Sequence, residues 1–228
     1  MAHCGVHDRS NIKSNFSLKR IPTILWHFCQ WGLHGRFDKI AYALHTRYNG
    51  LDFTAVSIGA LGLSPARSAQ HSPSGGADLS RVLTSLGISP SSTALDLGCG
   101  KGAAVLTMAR FPFVEVVGVD LSVELVEVAK ANAVRLRQDK VRFVCSDAAT
   151  FLDVGRFSHV YFYNPFPDCV MIDVIRNLKA SLRGEAPIII YKHPVCHETI
   201  IDSGLFVVAR DFRFGDHLDQ TYRIYVPK

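Results

Sequence analysis

The feature that most constrains this chain is a glycine-rich turn between an apolar run and a helical pattern. Residues 95–102 read LDLGCGKG and continue directly from an apolar stretch typical of a buried strand. Glycines at such a turn let the backbone approach a ligand closely, and the first N–H groups of the following helix are unpaired. The segment therefore predicts a nucleotide-type ligand at the end of a strand in an α/β sheet.

The side chains around this turn are acidic. Asp96 lies two residues before the first glycine, where a dinucleotide fingerprint has an apolar residue, and the spacing is G-x-G-x-G instead of G-x-G-x-x-G. Asp120 ends the second predicted strand, and Asp147 follows the third. Because the carboxyl ends of parallel strands meet at one crevice, we expect the three carboxylates to converge. Asp96 and the glycine spacing disfavour a nicotinamide dehydrogenase.

The rhythm of strands and helices beyond residue 91 predicts an α/β fold. Apolar, β-rich runs at 94–97, 114–120, 141–145, 159–163 and 187–191 alternate with helical patterns at 105–110, 122–137 and 169–182. Residues 205–214 and 220–226 alternate around Gly215-Asp216, which predicts an antiparallel hairpin. We expect a three-layer, doubly wound sheet that is mostly parallel and ends in this C-terminal hairpin.

Residues 1–90 are less regular and predict an N-terminal helical cap. Residues 1–20 are basic and almost free of acids, which favours a flexible tail. Helix candidates lie at 24–33, 37–48 and 78–86, and 64–76 has the Ser, Pro and Gly content of a mobile loop. We interpret residues 21–90 as a cap with a mobile loop, followed by a ligand-binding domain at 91–228.

Composition excludes several classes of protein. With 48% hydrophobic and 20% charged residues, the chain is neither disordered nor low in complexity. We expect no membrane contact, since no run approaches the ~20 apolar residues of a membrane helix. Six scattered cysteines without a C-x-x-C pair favour free thiols and a cytoplasmic protein. Seven Lys/Arg against two Asp in residues 1–50 account for the net charge of +5.

These motifs together resemble a known enzyme family. The run LDLGCGKG, Asp120, Asp147 and the sequence Asn164-Pro165-Phe166 resemble class I S-adenosylmethionine-dependent methyltransferases, and the hairpin resembles that family's last two strands. The resemblance covers roughly residues 90–228. It implies that S-adenosylmethionine is the cofactor and that its binding residues are Asp96 (amino group), Gly98 and Gly100 (methionyl part), Asp120 (ribose), Asp147 and Ala148 (adenine), with Cys99, Leu121 and Asn164 beside it.

The sequence Asn164-Pro165-Phe166-Pro167 is similar to the N/D-P-P-F/Y motif of amino-methylating relatives, with the aromatic residue one place earlier. By that resemblance, the Asn164 oxygen and the Pro165 carbonyl accept hydrogen bonds from the target amine, and Phe166 stacks on a planar group. Asn164 and Phe166 are thus the catalytic candidates. A Pro-stiffened loop that packs Phe166 on the core explains the same residues, and both interpretations stay open.

Two other patterns carry less weight. His193, Cys196 and His197, and likewise His3, Cys4 and His7, are possible zinc ligands, but neither spacing is diagnostic, so we predict no metal. Aromatic and basic residues alternate over 26–48, as in a surface that binds single-stranded nucleic acid. Amphipathic helices that cover the mouth of the active site explain this stretch more simply.

The function expected from the sequence is methyl transfer from S-adenosylmethionine. The acceptor is expected to be a small molecule or peptide first, a protein side chain second and a nucleic acid third. An amine nitrogen is one candidate target, and transfer to nitrogen, oxygen or carbon stays open. A hydroxyl acceptor would need a general base, for which Tyr163, Asp168 and His193 are candidates. A non-catalytic module that binds S-adenosylmethionine or S-adenosylhomocysteine remains the alternative, and the oligomeric state is left open.

Overall fold

Seven strands form one sheet in the order β3-β2-β1-β4-β5-β7-β6. The computed structural model describes residues 35–57, 59–62, 64 and 74–228. The first five strands run parallel, and β7 lies antiparallel between β5 and β6. The strands are β1 (Thr93–Leu97), β2 (Glu115–Asp120), β3 (Val141–Cys145), β4 (His159–Tyr163), β5 (Ile188–Lys192), β6 (Phe206–Arg213) and β7 (Thr221–Pro227).

Helices cover both faces of this sheet, which confirms the three-layer α/β prediction. They are α1 (Gly35–Tyr48), α2 (Ala77–Ser85), α3 (Ala103–Met108), α4 (Val123–Arg135), α5 (Asp168–Ser181) and α6 (His197–Asp202). Apolar residues of α2, α3 and α4 pack on one face of the sheet. Those of α5 and α6 pack on the other face.

Alternation along β1 decides where the first acid of the site points. Successive side chains of a strand point to opposite faces. Leu95 and Leu97 therefore pack on the α5 face, while Ala94 packs on the face of α2, α3 and α4. Asp96 lies on the same face as Ala94 and is in register with Tyr161 of β4. The acid thus lies on the face that the N-terminal part of the chain covers.

The elements agree with the sequence patterns except at one place. Ser122 caps α4 by accepting a hydrogen bond from the Leu125 N–H at 3.2 Å, which fixes the start of that helix. The predicted helix at 24–33 and tail at 1–20 lie outside the described residues. α6 was not predicted, because its only apolar residues, Ile200 and Ile201, are adjacent and show no helical period. The division at residues 20 and 90 stays a prediction.

No helix within the described ranges is long and apolar enough to cross a membrane.

Candidate active site

The glycine turn is held against the end of β2 by its own backbone. The N–H groups of Gly98 and Cys99 both donate to the carbonyl of Val119, at 2.8 and 3.0 Å. Gly98 has φ 82°, and a Cβ there would overlap the ring of Pro165. Only glycine fits where the loop after β4 crosses this turn, since both the backbone conformation and the space exclude a side chain.

Asp120 lies at the centre of the predicted site. Its Oδ2 accepts a hydrogen bond from the Gly100 N–H at 2.7 Å, and its Oδ1 accepts one from the Ser122 N–H at 3.0 Å. Burial raises the pKa of Asp120, and these N–H donors oppose the rise. Each carboxylate oxygen keeps a second lone pair, so the group can still accept hydrogen bonds from a pair of ribose hydroxyls.

Asp96 is a buried acid in an acidic environment. It is only 2% exposed. Burial, and then the negative charge of Asp120, raise its pKa well above the ordinary value for aspartate. A cation placed beside Asp96 would relieve both effects, because it compensates for lost solvation and for the like charge. The pair of acids therefore fits a ligand that carries a positive group next to a diol.

The third acid lies at the end of β3. Asp147 accepts a hydrogen bond from the Ala149 N–H at 2.9 Å and so begins a short 3₁₀ turn at Ala148–Thr150. The Ser146 N–H donates to the Asp120 carbonyl at 3.0 Å, which ties this strand end to β2. Leu121 follows Asp120 with its apolar side chain 37% exposed. The arrangement offers an apolar side chain and an acid to a planar ring.

Cys99 lies within the turn, but its side chain faces the core. The thiol is buried among residues of the first hydrophobic cluster, and burial raises its pKa well above the usual range. Any contact of Cys99 with a ligand is therefore through its backbone.

Asn164 follows β4 in an unusual conformation. Its φ is 37°, one of three positive values at non-glycine positions among the described residues. Asparagine tolerates this region better than most residues do, because its short side chain bonds locally. The next residue, Pro165, packs on Gly98. Asn164 is thus the chain neighbour of a residue that contacts the glycine turn, and its role at the site stays a prediction.

Phe166 points away from that turn. It is 5% exposed and belongs to the cluster on the α5 face, opposite to the face of Asp96. Its ring lies 6.1 Å from that of Phe162 at an interplanar angle of 79°, an edge-to-face pair. This placement favours the core-packing interpretation over stacking on a substrate.

Two of the candidate bases after β4 and β5, Tyr163 and Asp168, have side-chain contacts, and His193 has a backbone contact. Burial, and then Asp219, raise the pKa of Tyr163, whose ring centroid lies 3.9 Å from the Lys192 ammonium. Asp168 accepts a hydrogen bond from Thr199 at 2.8 Å. The backbone of His193 has φ 55° and donates to the Thr221 carbonyl at 2.9 Å. None of these contacts activates a nucleophile.

The possible zinc ligands near residue 195 have structural contacts. Cys196 is 2% exposed, and burial raises the pKa of its thiol to about 11. His197 Nδ1 lies 2.9 Å from the Tyr225 hydroxyl. Within the part of the chain that the structure describes, no three His, Cys, Asp or Glu residues are placed to hold a metal ion. The cluster at His3, Cys4 and His7 lies outside that part.

Sequence patterns did not predict the contacts that join three residues at the glycine turn. Lys101 inside the turn pairs with Asp52 of the N-terminal segment at 2.8 Å. Asn132 of α4 donates hydrogen bonds to the backbones of both residues. The three positions are too far apart in the chain to form a motif.

Comparisons with known proteins identify the domain. A family model described as a methyltransferase domain matches residues 94–184. A release factor glutamine methyltransferase of Koribacter versatilis is 31% identical over 140 residues, which are 57% of this chain and 50% of that protein. A trans-aconitate 2-methyltransferase of Methylobacterium radiotolerans is 46% identical over 59 residues, 25% of this chain and 21% of that protein. The chain thus spans half or less of the length of these curated relatives.

Solved structures show the same fold. An S-adenosylmethionine-dependent methyltransferase from Aquifex aeolicus superposes with a TM-score of 0.52 at 17% identity, over 65% of this chain and 88% of that one. These findings confirm the predicted fold, and the matched family model agrees with the methyltransferase class that the glycine turn and its acids predict. Residues 94–184 match a methyltransferase domain, and the chain has the fold of class I S-adenosylmethionine-dependent methyltransferases.

Proposed function

We propose that the protein transfers a methyl group from S-adenosylmethionine to an amine nitrogen of a small molecule or peptide, with a protein side chain as the second candidate acceptor. One arrangement carries the proposal. Asp96 and Asp120 flank the glycine turn, and the Asn164 loop contacts that turn through Pro165. Groups suited to hold the cofactor and a group suited to hold an amine thus lie towards the carboxyl ends of three neighbouring strands, β2, β1 and β4.

The acids fit the chemistry of the cofactor. Its methionyl part carries a positive amino group, and its ribose carries two neighbouring hydroxyls. Asp96, with its raised pKa, would regain a full charge beside that amino group, and Asp120 would accept from the ribose. Leu121, Asp147 and Ala148 would frame the adenine. When bound, S-adenosylmethionine supplies an already activated methyl group on a positively charged sulfur.

The protein's task is then to place the acceptor. The Asn164 side-chain oxygen would accept a hydrogen bond from the acceptor N–H and turn the nitrogen lone pair towards the methyl group. Correct placement of two reactants can supply much of a rate enhancement. An amine needs only its free lone pair, whereas a hydroxyl needs a base. The raised pKa of Tyr163 means that its hydroxyl holds its proton more firmly, which disfavours this residue as a general base.

The names of the relatives support more than one acceptor class. One is called a release factor glutamine methyltransferase and the other a trans-aconitate 2-methyltransferase. The first name supports transfer to a protein side chain, and the second supports transfer to a small molecule. Nucleic acid stays the third candidate, since residues 26–34 of the basic and aromatic stretch at 26–48 lie outside the described residues. A cytoplasmic location also stays a prediction.

A non-catalytic binding module is the second candidate function. The core position of Phe166 favours it, because the aromatic platform expected beside the acceptor is not on the face of Asp96. Such a module would use the same glycine turn and acids without a methyl acceptor.

The experiment that separates these functions uses S-adenosylmethionine labelled in its methyl group. The protein would be incubated with separated pools of metabolites, peptides, proteins and nucleic acids, and Asp96→Asn would serve as the matched control. We expect label in a low-mass amine or a peptide, and none with Asp96→Asn. Label in nucleic acid alone would overturn the proposed acceptor. Tight binding of S-adenosylhomocysteine without any labelled product would favour the binding module.

A further inference from the structure

We propose that Lys101 is a positioning residue that couples cofactor binding to the docking of residues 51–54 of the N-terminal segment on the glycine turn. The inference rests on the proposed function, because the ligand it concerns is the cofactor. It assigns a role to a segment outside the methyltransferase domain at 94–184.

The ammonium of Lys101 is buried, and each of its N–H groups has an acceptor. The residue is 5% exposed, and its Nζ donates to Asp52 Oδ1 at 2.9 Å, to Asp52 Oδ2 at 2.8 Å and to Thr54 Oγ1 at 2.8 Å. A lysine has three N–H donors, so these contacts account for all of them. Partial burial raises the pKa of Asp52, but hydrogen bonds from Lys101 and Thr54 outweigh it and lower the pKa to about 2.

A second side chain ties the same two segments together. Asn132 of α4 is 0% exposed. Its Oδ1 accepts from the Asp52 N–H at 3.1 Å, and its Nδ2 donates to the Asp52 carbonyl at 2.9 Å and to the Lys101 carbonyl at 3.1 Å. One buried amide therefore bonds to the backbone of the N-terminal segment and to the backbone of the turn. Phe53, 9% exposed in the core, anchors the segment between these contacts.

The turn connects this network to the cofactor site. Lys101 stands between Gly100 and Gly102, whose φ values of 52° and 83° lie in the left-handed region. Glycines impose little conformational preference of their own, so the anchored lysine between them sets the shape of the turn. Gly100 in turn donates its N–H to Asp120 at 2.7 Å. Release of Lys101 would move the turn and the proposed ribose acceptor together.

Coupling of this kind is reciprocal. If docking of residues 51–54 favours the turn conformation that binds the cofactor, then the cofactor favours docking by the same factor. The two partners are also unequal, since the side chain of Lys101 is 6% exposed and that of Asp52 is 45% exposed. Asp52→Asn leaves the buried Lys101 ammonium without its counter-charge. Lys101→Met leaves the Asp52 carboxylate unpaired, but water can solvate it. We therefore expect Asp52→Asn to be the more damaging change.

The test measures the affinity for S-adenosylhomocysteine by calorimetry at a temperature where circular dichroism shows each variant to be folded. The series is wild type, Asp52→Asn, Lys101→Met and the double variant. The matched control is the exposed pair Lys130–Glu127, also joined at 2.8 Å, changed to Lys130→Met and Glu127→Gln. We expect a dissociation constant about tenfold higher for Asp52→Asn, a smaller rise for Lys101→Met and for the double variant, and no change for the controls.

Hydrogen exchange gives a readout that a merely structural lysine would not move. In wild type, S-adenosylhomocysteine should slow exchange of the amides in a peptide spanning residues 49–57, and this slowing should be lost in Lys101→Met. If Asp52→Asn does not fold, the exchange data on the wild-type protein still test the coupling. Wild type that binds the ligand without slower exchange at 49–57, or variants that bind as well as wild type, would overturn the coupling and leave the proposed function standing. A wild type that binds no S-adenosylhomocysteine would overturn the proposed function itself, and the coupling with it.

Discussion

The carboxylate of Asp120 accepts a 2.7 Å hydrogen bond from the N–H of Gly100, which lies 20 residues earlier in the chain. Its other oxygen accepts from Ser122 at the start of α4. One side chain thus joins the glycine turn, the end of β2 and the next helix. The residue proposed to hold the ribose also holds the shape of the turn that would hold the methionyl part. The affinity for the cofactor and the stability of the glycine turn therefore both depend on Asp120.

Asp120→Ala should weaken both properties. The change removes the ribose acceptor and leaves two backbone N–H groups without their partner, which costs ~1–3 kcal/mol. We expect the dissociation constant for S-adenosylhomocysteine to rise by about one to two orders of magnitude and the free energy of unfolding to fall by a similar ~1–3 kcal/mol. Calorimetry and urea unfolding measure the two effects. Unchanged affinity would mean that Asp120 does not contact the cofactor.

Asn164 should be tested with glycine instead of alanine. Its φ of 37° strains an alanine, whereas Asn164→Gly removes the side chain and keeps the backbone conformation. The proposed hydrogen bond aligns the acceptor mainly in the transition state, so the variant should lose roughly 10²-fold in turnover and little in cofactor affinity. Single-turnover kinetics with the identified acceptor measure the first value. An Asn164→Gly enzyme that turns over normally would exclude this role for the side chain.

Phe166→Ala should act on stability instead of substrate binding. The ring is buried against Phe162, and removal of a core phenylalanine side chain costs ~3–5 kcal/mol. We expect a large drop in the urea midpoint, and a much smaller one for Phe166→Leu, which retains most of the apolar volume. The Michaelis constant of the folded Phe166→Leu variant should stay near that of wild type. A raised Michaelis constant with unchanged stability would restore the stacking role.

His159 at the start of β4 should make stability depend on pH. The ring is 6% exposed, its Nε2 has no hydrogen-bond partner, and burial lowers its pKa from 6.5 to about 4. Between these two pH values His159 is mostly protonated in the unfolded chain and mostly neutral in the folded chain. The free energy of unfolding therefore falls as pH drops from 6.5 to about 4. His159→Phe should flatten this part of the curve of unfolding free energy against pH. An equal slope in both proteins would contradict the assignment.

Local patterns predicted much of this molecule because its site is built at strand ends. The apolar runs reveal the strands: Asp96 lies in β1, the glycines follow it, and Asp120 ends β2. The carboxyl ends of neighbouring parallel strands lie at the same edge of a sheet. The Asp52–Lys101 pair gave no such signal, since its partners lie 49 residues apart and no local period links them. The face of the sheet on which Phe166 packs could not be predicted from the sequence either. Asn164 with its positive φ turns the chain between β4 and α5, which breaks the alternation that would assign a face.

The most direct test of the central claim is a calorimetric titration of the wild-type protein with S-adenosylhomocysteine and, separately, with NAD. The acids and glycine spacing of the turn predict saturable binding of one S-adenosylhomocysteine per chain, loss of that binding in Asp96→Asn, and no binding of NAD. Saturable binding of NAD with none of S-adenosylhomocysteine would contradict the account.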